Sequence, residues 1–263
     1  MVRECLIAFL IATARSLGSA VQLDASRLGR RFDGVGALSG GGATSRLLID
    51  YDDGSGAVYD LLFRPMFGAS MHILKIEVGG DSFTGCGSEP SIQHTVDDLD
   101  DKVSFARGYE GNVVRAALAR NPSMLGYTLS WGFPGHLGGY LSTPLTNATA
   151  AYEARFCIGA KAQWGYTCDY TGIHNEMPWS VEYVTMLRRT LDAAGLNDTK
   201  IVVSDNFGDF DAVATQIIAS KEMRTATGVI GAHYPHASNS TSLAVETGTP
   251  LWSSEDSSTY FDA

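Results

Sequence analysis

The chain has 263 residues, of which 44% are hydrophobic and 18% are charged, a composition typical of one large globular domain or two small ones. The formal net charge is −10 at pH 7, and the lysine and arginine residues do not cluster along the sequence. Binding to the phosphates of nucleic acid needs a basic surface, so the composition argues against a nucleic-acid partner.

The first 20 residues have the pattern of a secretory signal peptide. Arg3 supplies the charged start and is followed by an apolar core and by small side chains at 18–20, where cleavage would occur. Glu4 and Arg15 depart from this pattern, and a buried N-terminal helix is the alternative. No later stretch approaches the roughly 20 apolar residues of a membrane-spanning helix. We therefore expect a signal peptide over residues 1–20 and no transmembrane segment after it.

Glycosylation sequences and cysteines also bear on whether the chain enters the secretory route. Three Asn-X-Thr sequences are acceptors for N-linked glycans, and they begin at Asn147, Asn197 and Asn239. Three cysteines remain once the signal peptide is removed, an odd number that leaves one thiol without a partner in this chain: Cys86, Cys157 and Cys168. Their irregular spacing does not match a zinc site, and we assign no disulfide.

Short apolar runs predict seven β-strands. Each run has about five to seven residues and is rich in β-branched or aromatic side chains. The predicted strands are 32–38, 72–78, 125–131, 170–174, 200–204, 229–233 and 250–254.

Helical periodicity lies between the predicted strands. Helices are predicted over 110–120, 150–164, 180–194 and 210–223. Ser180 is expected to cap the start of the third helix, and Gly195 to end it. Strands that alternate with helices in this way predict a parallel α/β architecture.

Two parallel α/β folds compete for this pattern. A Rossmann-type sheet needs a G-x-G-x-x-G sequence at its first helix, and SGGGATS at 39–45 does not match it. A (β/α)8 TIM barrel carries its chemistry at the C-terminal ends of its strands. Here the strand ends are rich in polar and aromatic residues: Ser39, Asp81, Trp131, Asn175-Glu176, Asp205-Asn206, His233-Tyr234 and Glu255-Asp256.

The pattern therefore favours an α/β (β/α)8 TIM barrel over residues 21–263, with seven of its eight strands present. Such a barrel would have two unpaired edges, which are a liability for stability and for aggregation. We therefore expect the chain to be an N-terminal fragment of a longer protein, truncated before the eighth strand.

Two of the strand ends carry a glutamate. Glu176 follows the fourth predicted strand and Glu255 follows the seventh, and these strands face each other across the mouth of an eight-stranded barrel. Two carboxyl groups about 5–5.5 Å apart are typical of a retaining glycosidase, in which one is the nucleophile and the other is the general acid and then base. Asn175 is placed to bond a sugar 2-hydroxyl. This chemistry needs no metal and no organic cofactor.

The segments around these positions occur in order through nearly the whole mature chain: FDGVGALSGGGATSRLL (32–48), FGASMHILKIEVGGD (67–81), GSEPS (87–91), SWGFPG (130–135), GIHNE (172–176), VSDN (203–206), VIGAHYP (229–235) and LWSSEDSST (251–259). They resemble the galactocerebrosidase (galactosylceramidase) family, lysosomal retaining β-galactosidases of a larger clan of (β/α)8 glycosidases. The resemblance implies a lysosomal or secreted hydrolase that removes β-linked galactose from galactosylceramide-type glycosphingolipids.

The resemblance also implies roles for single residues. Glu176 resembles the acid/base and Glu255 the nucleophile, while Asn175, Trp131 and Thr84 match positions that contact the galactose. The loop that carries Thr84 departs from the usual sequence of the family. The implied partners are a glycosphingolipid substrate and a lipid-presenting activator protein.

Two further departures leave alternatives open. His174 and His136 stand where the family usually has tryptophan, and both lie near the expected barrel mouth. One alternative is therefore a β-galactosidase that acts on a different galactoside, such as galactan or a plant-type galactolipid. Another is an inactive truncated product, because the expected eighth strand is missing.

Overall fold

The computed structural model describes residues 24, 26–40, 48–50, 54, 56–84, 87–139, 145–208, 210–235 and 240–256. Three sequence-based expectations lie outside these residues: the signal peptide over 1–20, the glycosylation site at Asn239 and the thiol of Cys86. The chain divides into a short unit, residues 1–33, and a large unit, residues 34–263. In the short unit, the described residues contain no helix or strand, and Asp24 accepts a hydrogen bond from the Ser26 hydroxyl at 2.6 Å.

Seven parallel strands form one sheet in the large unit, and their order in the sheet is their order along the chain. They are β1 (Gly36–Ser39), β2 (Ile73–Val78), β3 (Leu125–Ser130), β4 (Tyr170–Thr171), β5 (Lys200–Phe207), β6 (Thr227–His233) and β7 (Leu251–Glu255). All seven predicted strands are confirmed. The first begins later than predicted, because Gly34 has a φ of +140°, which interrupts an extended strand.

The sheet curls into a nearly closed barrel. Lys75 on β2 reaches Glu255 on β7, so side chains from near opposite edges of the sheet meet inside it. The rings of Tyr170 on β4 and Trp252 on β7 also meet there, with centroids 4.5 Å apart. A sequential strand order is that of a (β/α)8 barrel and differs from the reversed order of a doubly wound sheet. The predicted fold class is confirmed.

The described helices are α1 (Ala57–Phe63), α2 (Asp101–Ser104), α3 (Glu110–Arg120), α4 (Asn147–Trp164), α5 (Val181–Ala193), α6 (Phe210–Ala219), α7 (Lys221–Ala226) and α8 (Ser242–Glu246), and residues 48–50 are also helical. The four predicted helices are present, and Ser180 caps α5 by accepting a hydrogen bond from the Tyr183 amide at 3.1 Å. The predicted helix 210–223 is interrupted at Ser220, whose side chain caps α7. Among the described residues, no helix has the length and apolar character needed to cross a membrane.

The core has a layer outside the barrel and a layer inside it. Leu74, Ile76 and Val78 of β2 pack with the surrounding helices in one buried cluster. Ile73, in contrast, packs inside the barrel with Tyr127, Tyr170, Val202 and Val229. Because side chains alternate along a strand, Lys75 points to the same side as Ile73, toward the barrel interior.

Cys157 on α4 is disulfide-bonded to Cys168, which precedes β4. The sequence analysis assigned no disulfide, because the pairing of three cysteines cannot be deduced from their spacing. The bond therefore corrects that assignment, and it joins α4 to the segment that leads into the next strand.

Glu153 and Glu89 are two of the four buried glutamates among the described residues. Glu153 on α4 accepts a hydrogen bond from the Ser130 hydroxyl, and Glu89 accepts hydrogen bonds from the amides of Tyr109 and Glu110 at the start of α3. Burial raises the pKa of Glu153 to about 8 in spite of the serine donor. Burial also raises the pKa of Glu89 to about 8 in spite of its two amide donors. Both carboxyl groups are therefore protonated in mildly acidic solution.

The raised pKa of Glu153 predicts that stability falls as pH rises. An unfolded glutamate titrates near pH 4.5 and the folded one near 8, so the native state binds more protons between these values. The stabilisation is complete below about pH 4.5 and is lost as the pH rises through 8. We expect Glu153→Gln, which is neutral at every pH, to unfold at about the parent temperature at pH 4.5 and at a higher temperature at pH 8.

Thermal unfolding of the full-length protein across this pH range measures the effect. The matched control is Glu246→Gln, which changes an exposed glutamate on α8 and should show no pH-dependent difference. An equal shift in melting temperature for Glu153→Gln at pH 4.5 and pH 8 would contradict the prediction.

Candidate active site

The C-terminal ends of four neighbouring strands bring ionisable side chains together. Glu176 follows β4, Asp205 lies near the end of β5, His233 ends β6 and Glu255 ends β7. One carboxylate oxygen of Glu176, one of Glu255 and one ring nitrogen of His233 all lie within 4.8 Å of one another. The structure thus places the two glutamates expected from the sequence side by side at the same rim.

His233 lies between the acids. Its Nδ1 is 3.3 Å from Glu176 Oε1, and its Nε2 is 3.3 Å from Asp205 Oδ1 and 3.8 Å from Glu255 Oε2. The imidazole is completely buried, and each ring nitrogen of histidine can bond a different partner. His233 therefore fixes the spacing between the two glutamates.

A buried lysine reaches the same carboxylates from β2. Lys75 Nζ lies 3.3 Å from Glu255 Oε2, 3.5 Å from Asp205 Oδ1 and 3.3 Å from the carbonyl oxygen of Ser254. The side chain of Lys75 is only 4% exposed. A lysine is rarely buried to this extent unless it is paired. Here it supplies the positive charge that the two acids require.

Asp205 is a fixed anion at the base of this cluster. Burial by itself would raise the pKa of Asp205, but the Lys75 ammonium, His233 and the Tyr127 hydroxyl outweigh burial and hold it at about 2. Tyr127 donates its hydroxyl to Asp205 Oδ1 at 2.5 Å. Burial and the Asp205 charge raise the pKa of Tyr127 well above the usual range of tyrosine, so this donor keeps its proton.

Glu255 is held at both oxygens. Tyr234 donates its hydroxyl to Oε1 at 2.8 Å, while Lys75 lies at Oε2. Partial burial and the adjacent Glu255 carboxylate raise the pKa of Tyr234, so its hydroxyl stays protonated and donates. The orientation of the Glu255 carboxylate is therefore set by two donors from different strands.

Unusual backbone conformations occur at the rim of the barrel. Seven described non-glycine residues have a positive φ, and three of them belong to this cluster: Glu176 (53°), Asp205 (51°) and Tyr234 (47°). Residues other than glycine rarely adopt this left-handed backbone conformation. It costs on the order of 1–3 kcal/mol and is concentrated at functional sites. A hydrogen bond from the Glu176 amide to the Asp205 carbonyl oxygen, 2.9 Å long, stabilises the turn.

The residues expected to bind galactose have different surroundings. The backbone N–H of Asn175 donates to the Ser130 carbonyl oxygen at 2.8 Å, and the side-chain Oδ1 of Asn175 is buried without a hydrogen-bond partner in the described part of the chain. Trp131 lies beneath the Lys75 ammonium, which is 5.5 Å from the ring centroid. Thr84 donates its hydroxyl to Glu77 Oε1 at 3.4 Å. Within the described part of the chain, it has no hydrogen bond to Glu176 or Glu255. Their roles toward a sugar stay predictions.

Three other polar residues near the rim do not join the cluster. Asp81 accepts a hydrogen bond from the Ser91 hydroxyl at 2.6 Å and pairs with His94 at 2.7 Å. His174 is fully buried and stacks on Phe133 with ring centroids 5.4 Å apart, and burial lowers its pKa to about 4. His174 is therefore a neutral packing residue. His136, in the turn after β3, is exposed.

Sequence reasoning missed Lys75 and Tyr127 as site residues. The signal for Lys75 was present in HILKIEV, because strands of a parallel barrel are covered on both faces and normally read as continuous apolar runs. A charged residue in the middle of such a run must lie inside the barrel with a counter-charge. Nothing comparable distinguishes Tyr127 from a core tyrosine.

The cluster offers three atoms that are close enough together to hold a metal ion, from Glu176, His233 and Glu255. The Lys75 ammonium already lies at Glu255 Oε2, so a metal cation there would meet a fixed positive charge. The donor set therefore does not fit a metal.

Comparison with known proteins agrees with this geometry. The model of glycosyl hydrolase family 59 matches residues 32–263. The galactocerebrosidases of Mus musculus and Homo sapiens are 44% and 43% identical to the chain over 245 residues, 92% of its length. A putative galactocerebrosidase of Caenorhabditis elegans is 32% identical over 244 residues, 91% of the chain. The chain spans about 35% of the length of the mouse and human proteins.

Solved structures share the fold at low identity. SrfJ from Salmonella typhimurium superimposes with a TM-score of 0.64 at 17% identity, over 78% of this chain and 51% of that one. The catalytic domain of GH30 xylanase C from Talaromyces cellulolyticus gives a TM-score of 0.56 at 21% identity, over 78% and 53%. With the family match over residues 32–263, the chain belongs to glycosyl hydrolase family 59.

Proposed function

We propose that this chain carries the catalytic pair of a galactosylceramidase, which removes β-linked galactose from galactosylceramide-type glycosphingolipids and retains the anomeric configuration. The observation that carries the proposal is the approach of the Glu176 and Glu255 carboxylates to within 4.8 Å. Retaining enzymes have carboxyl groups about 5–5.5 Å apart, whereas inverting enzymes separate them by about 6.5–9.5 Å. The similarity to galactocerebrosidases supports the choice of sugar and lipid.

In the first step, a Glu255 oxygen attacks the anomeric carbon while Glu176 gives its proton to the departing glycosidic oxygen. The bond to the lipid breaks, its electron pair stays on that oxygen, and galactose becomes an ester of Glu255. In the second step, Glu176 takes a proton from water, and the water oxygen attacks the same carbon. The ester bond breaks, and its electron pair returns to the Glu255 carboxylate.

Lys75 balances charge in both steps. In the free enzyme its ammonium lies between Glu255 and Asp205. When Glu255 becomes an ester it loses its charge, and Asp205 remains as the counter-ion of Lys75. Breakage of the ester returns a negative charge beside a cation that is already in place, which is the electrostatic stabilisation that lowers a barrier most effectively.

A lipid-presenting activator protein belongs to the same proposal. The Glu255 side chain is only 14% exposed and that of Glu176 is 30% exposed, so both lie recessed in the barrel mouth. We expect a glycolipid to be raised from the bilayer before its glycosidic oxygen meets these partly buried carboxylates. A carrier that lifts the lipid out would meet this requirement.

His174 and His136, which stand where the family usually has tryptophan, give little support to a different substrate. His174 is fully buried against Phe133 and has no exposed surface with which to contact a substrate. Of the two departures from the family pattern, only His136 is exposed. Together with the similarity to galactocerebrosidases, the burial of His174 leads us to favour galactosylceramide over galactan or a galactolipid as the substrate.

The two glutamates provide the first test. We expect Glu176→Gln to lower kcat for galactosylceramide by about 10²–10⁴-fold, the usual contribution of a general acid and base. Glu255→Gln should lower it further, because the covalent route is lost. Kinetics of the full-length protein measure both effects, and a 2-deoxy-2-fluoro-β-galactoside should label Glu255, as identified by peptide mass spectrometry.

The control for this test is Asp256→Asn, which changes the exposed carboxylate next to Glu255 and should keep parental activity. Labelling of another residue, together with full activity of Glu255→Gln, would refute the assignment of the nucleophile.

Removal of Lys75 tests the role of the buried charge. Lys75→Met leaves Asp205 without its counter-ion, so we expect the free energy of unfolding to fall by about 3–5 kcal/mol and kcat to fall by about 10²-fold. The double variant Lys75→Met/Asp205→Asn removes both charges and should recover most of the stability but not the turnover, because Glu255 still lacks the ammonium. Denaturant unfolding and steady-state kinetics separate the two effects. Recovery of both by the double variant would show that Lys75 acts only on folding.

We also propose that the protein follows the secretory route to the lysosome. The Cys157–Cys168 disulfide is a bond of oxidising compartments, and Asn147 and Asn197 are exposed acceptors for glycans. We expect protein purified from its own cells to lose mass on treatment with an amidase that removes N-linked glycans, and peptide mapping to find Cys157 linked to Cys168. Unmodified Asn147 and Asn197 together with free thiols would contradict this route.

A further inference from the structure

An exposed phenylalanine and a half-buried tyrosine lie together at the rim beside the catalytic glutamates. Phe207 ends β5 and is 58% exposed, although a phenylalanine is normally buried. Its ring lies against that of Tyr234, which follows β6, with centroids 5.4 Å apart and an angle of 33° between the planes. We call Phe207 and Tyr234 the aromatic shelf.

The shelf is connected to both catalytic residues. Tyr234 donates its hydroxyl to Glu255 Oε1 at 2.8 Å. On the other side, Asn206 precedes Phe207 and donates its side-chain amide to the carbonyl oxygen of Met177 at 3.3 Å. Met177 directly follows Glu176, so the shelf borders the rim on the side of the proposed acid.

This location determines which part of a substrate meets the shelf. The general acid must contact the glycosidic oxygen, so the wall beside it faces the leaving group rather than the galactose. Since Phe207 lies next to the segment that carries Glu176, the group that leaves with that oxygen is the one placed over its ring.

The chemistry of the shelf fits a hydrocarbon better than a second sugar. Asn206 uses its amide nitrogen on Met177 and its Oδ1 to accept the Phe207 amide at 2.8 Å, so both ends of this side chain are engaged within the protein. Gly208 follows without a side chain, and a Cβ added there would meet no atom within 4 Å. A hydrocarbon chain would bury apolar surface by lying on the two rings, whereas a sugar placed there would find both ends of the Asn206 side chain already engaged.

We propose that Phe207 and Tyr234 form the aglycone subsite and bind the hydrocarbon portion of a lipid leaving group. This inference rests on the proposed function, because it takes Glu176 as the acid and Glu255 as the nucleophile. Phe207 determines specificity, and it has no part in the bond-breaking itself.

The test compares three β-galactosides in the full-length enzyme. β-Galactosyl fluoride has no aglycone carbon, octyl β-galactoside has a hydrocarbon one, and a β-linked galactosyl-galactose has a sugar. For Phe207→Ala, we expect kcat/KM for the octyl galactoside, divided by that for the fluoride, to fall about tenfold, as for the loss of apolar contact in a binding pocket. The change should lie mainly in KM, as for binding that is shared by the ground state and the transition state.

The matched control is Phe67→Ala. Phe67 is 45% exposed and lies between α1 and β2, and helix-to-strand connections of a barrel are at the end opposite the active site. Its octyl-to-fluoride ratio should equal that of the parent. Because both substrates report on the same folded molecules, the ratio does not depend on the fraction of a variant that folds.

Two results would overturn the subsite while leaving the proposed function intact. One is an unchanged octyl-to-fluoride ratio in Phe207→Ala. The other is a fall confined to the disaccharide, which would make the shelf a sugar subsite. If the parent enzyme hydrolyses neither galactosylceramide nor any of the three galactosides, the proposed function itself fails before any variant is compared.

Discussion

The active site depends on one buried interaction, the contact of the Lys75 ammonium with Asp205 and Glu255. Lys75 comes from β2, while its two partners come from β5 and β7, so the contact crosses the barrel interior. A charge taken out of water in this way is tolerated only with a partner and further hydrogen bonds. His233 and Tyr127 supply those bonds to Asp205, and Tyr234 supplies one to Glu255. The Lys75 ammonium and both of its carboxylate partners are thus held by further hydrogen bonds from the surrounding strands.

The strands and most of the longer helices could be predicted from the sequence, because each depends on the pattern of apolar residues within a short segment. Parallel strands show as short apolar runs, and helices such as 110–120 show as a periodic stripe, so both were predictable to within a few residues. The position of Glu176 and Glu255 at the rim was predictable because strand ends are visible in one dimension, while their catalytic roles stay a proposal. The short helices α1, α2 and α8 were not, because four to seven residues carry too little periodicity.

The network around the glutamates could not be predicted in the same way. Which residue contacts Lys75 depends on how far the sheet curls and on which side chains reach its interior, and neither is a local property. The same limit applied to the disulfide, since cysteines 11 residues apart pair only if a helix and the following segment bring them together. His174 shows the reverse case, because a residue that seemed to lie at the mouth is buried against Phe133.

The sequential strand order has a consequence for how the molecule is made. A chain that leaves the ribosome N-terminus first can add each strand to the edge formed by the one before it, and every pairing joins neighbours along the chain. Lys75 is synthesised long before Asp205 and Glu255, so its charge has neither carboxylate partner until the fifth strand docks. Folding intermediates that contain only β1 to β4 therefore carry the Lys75 ammonium without Asp205 or Glu255 to pair with it.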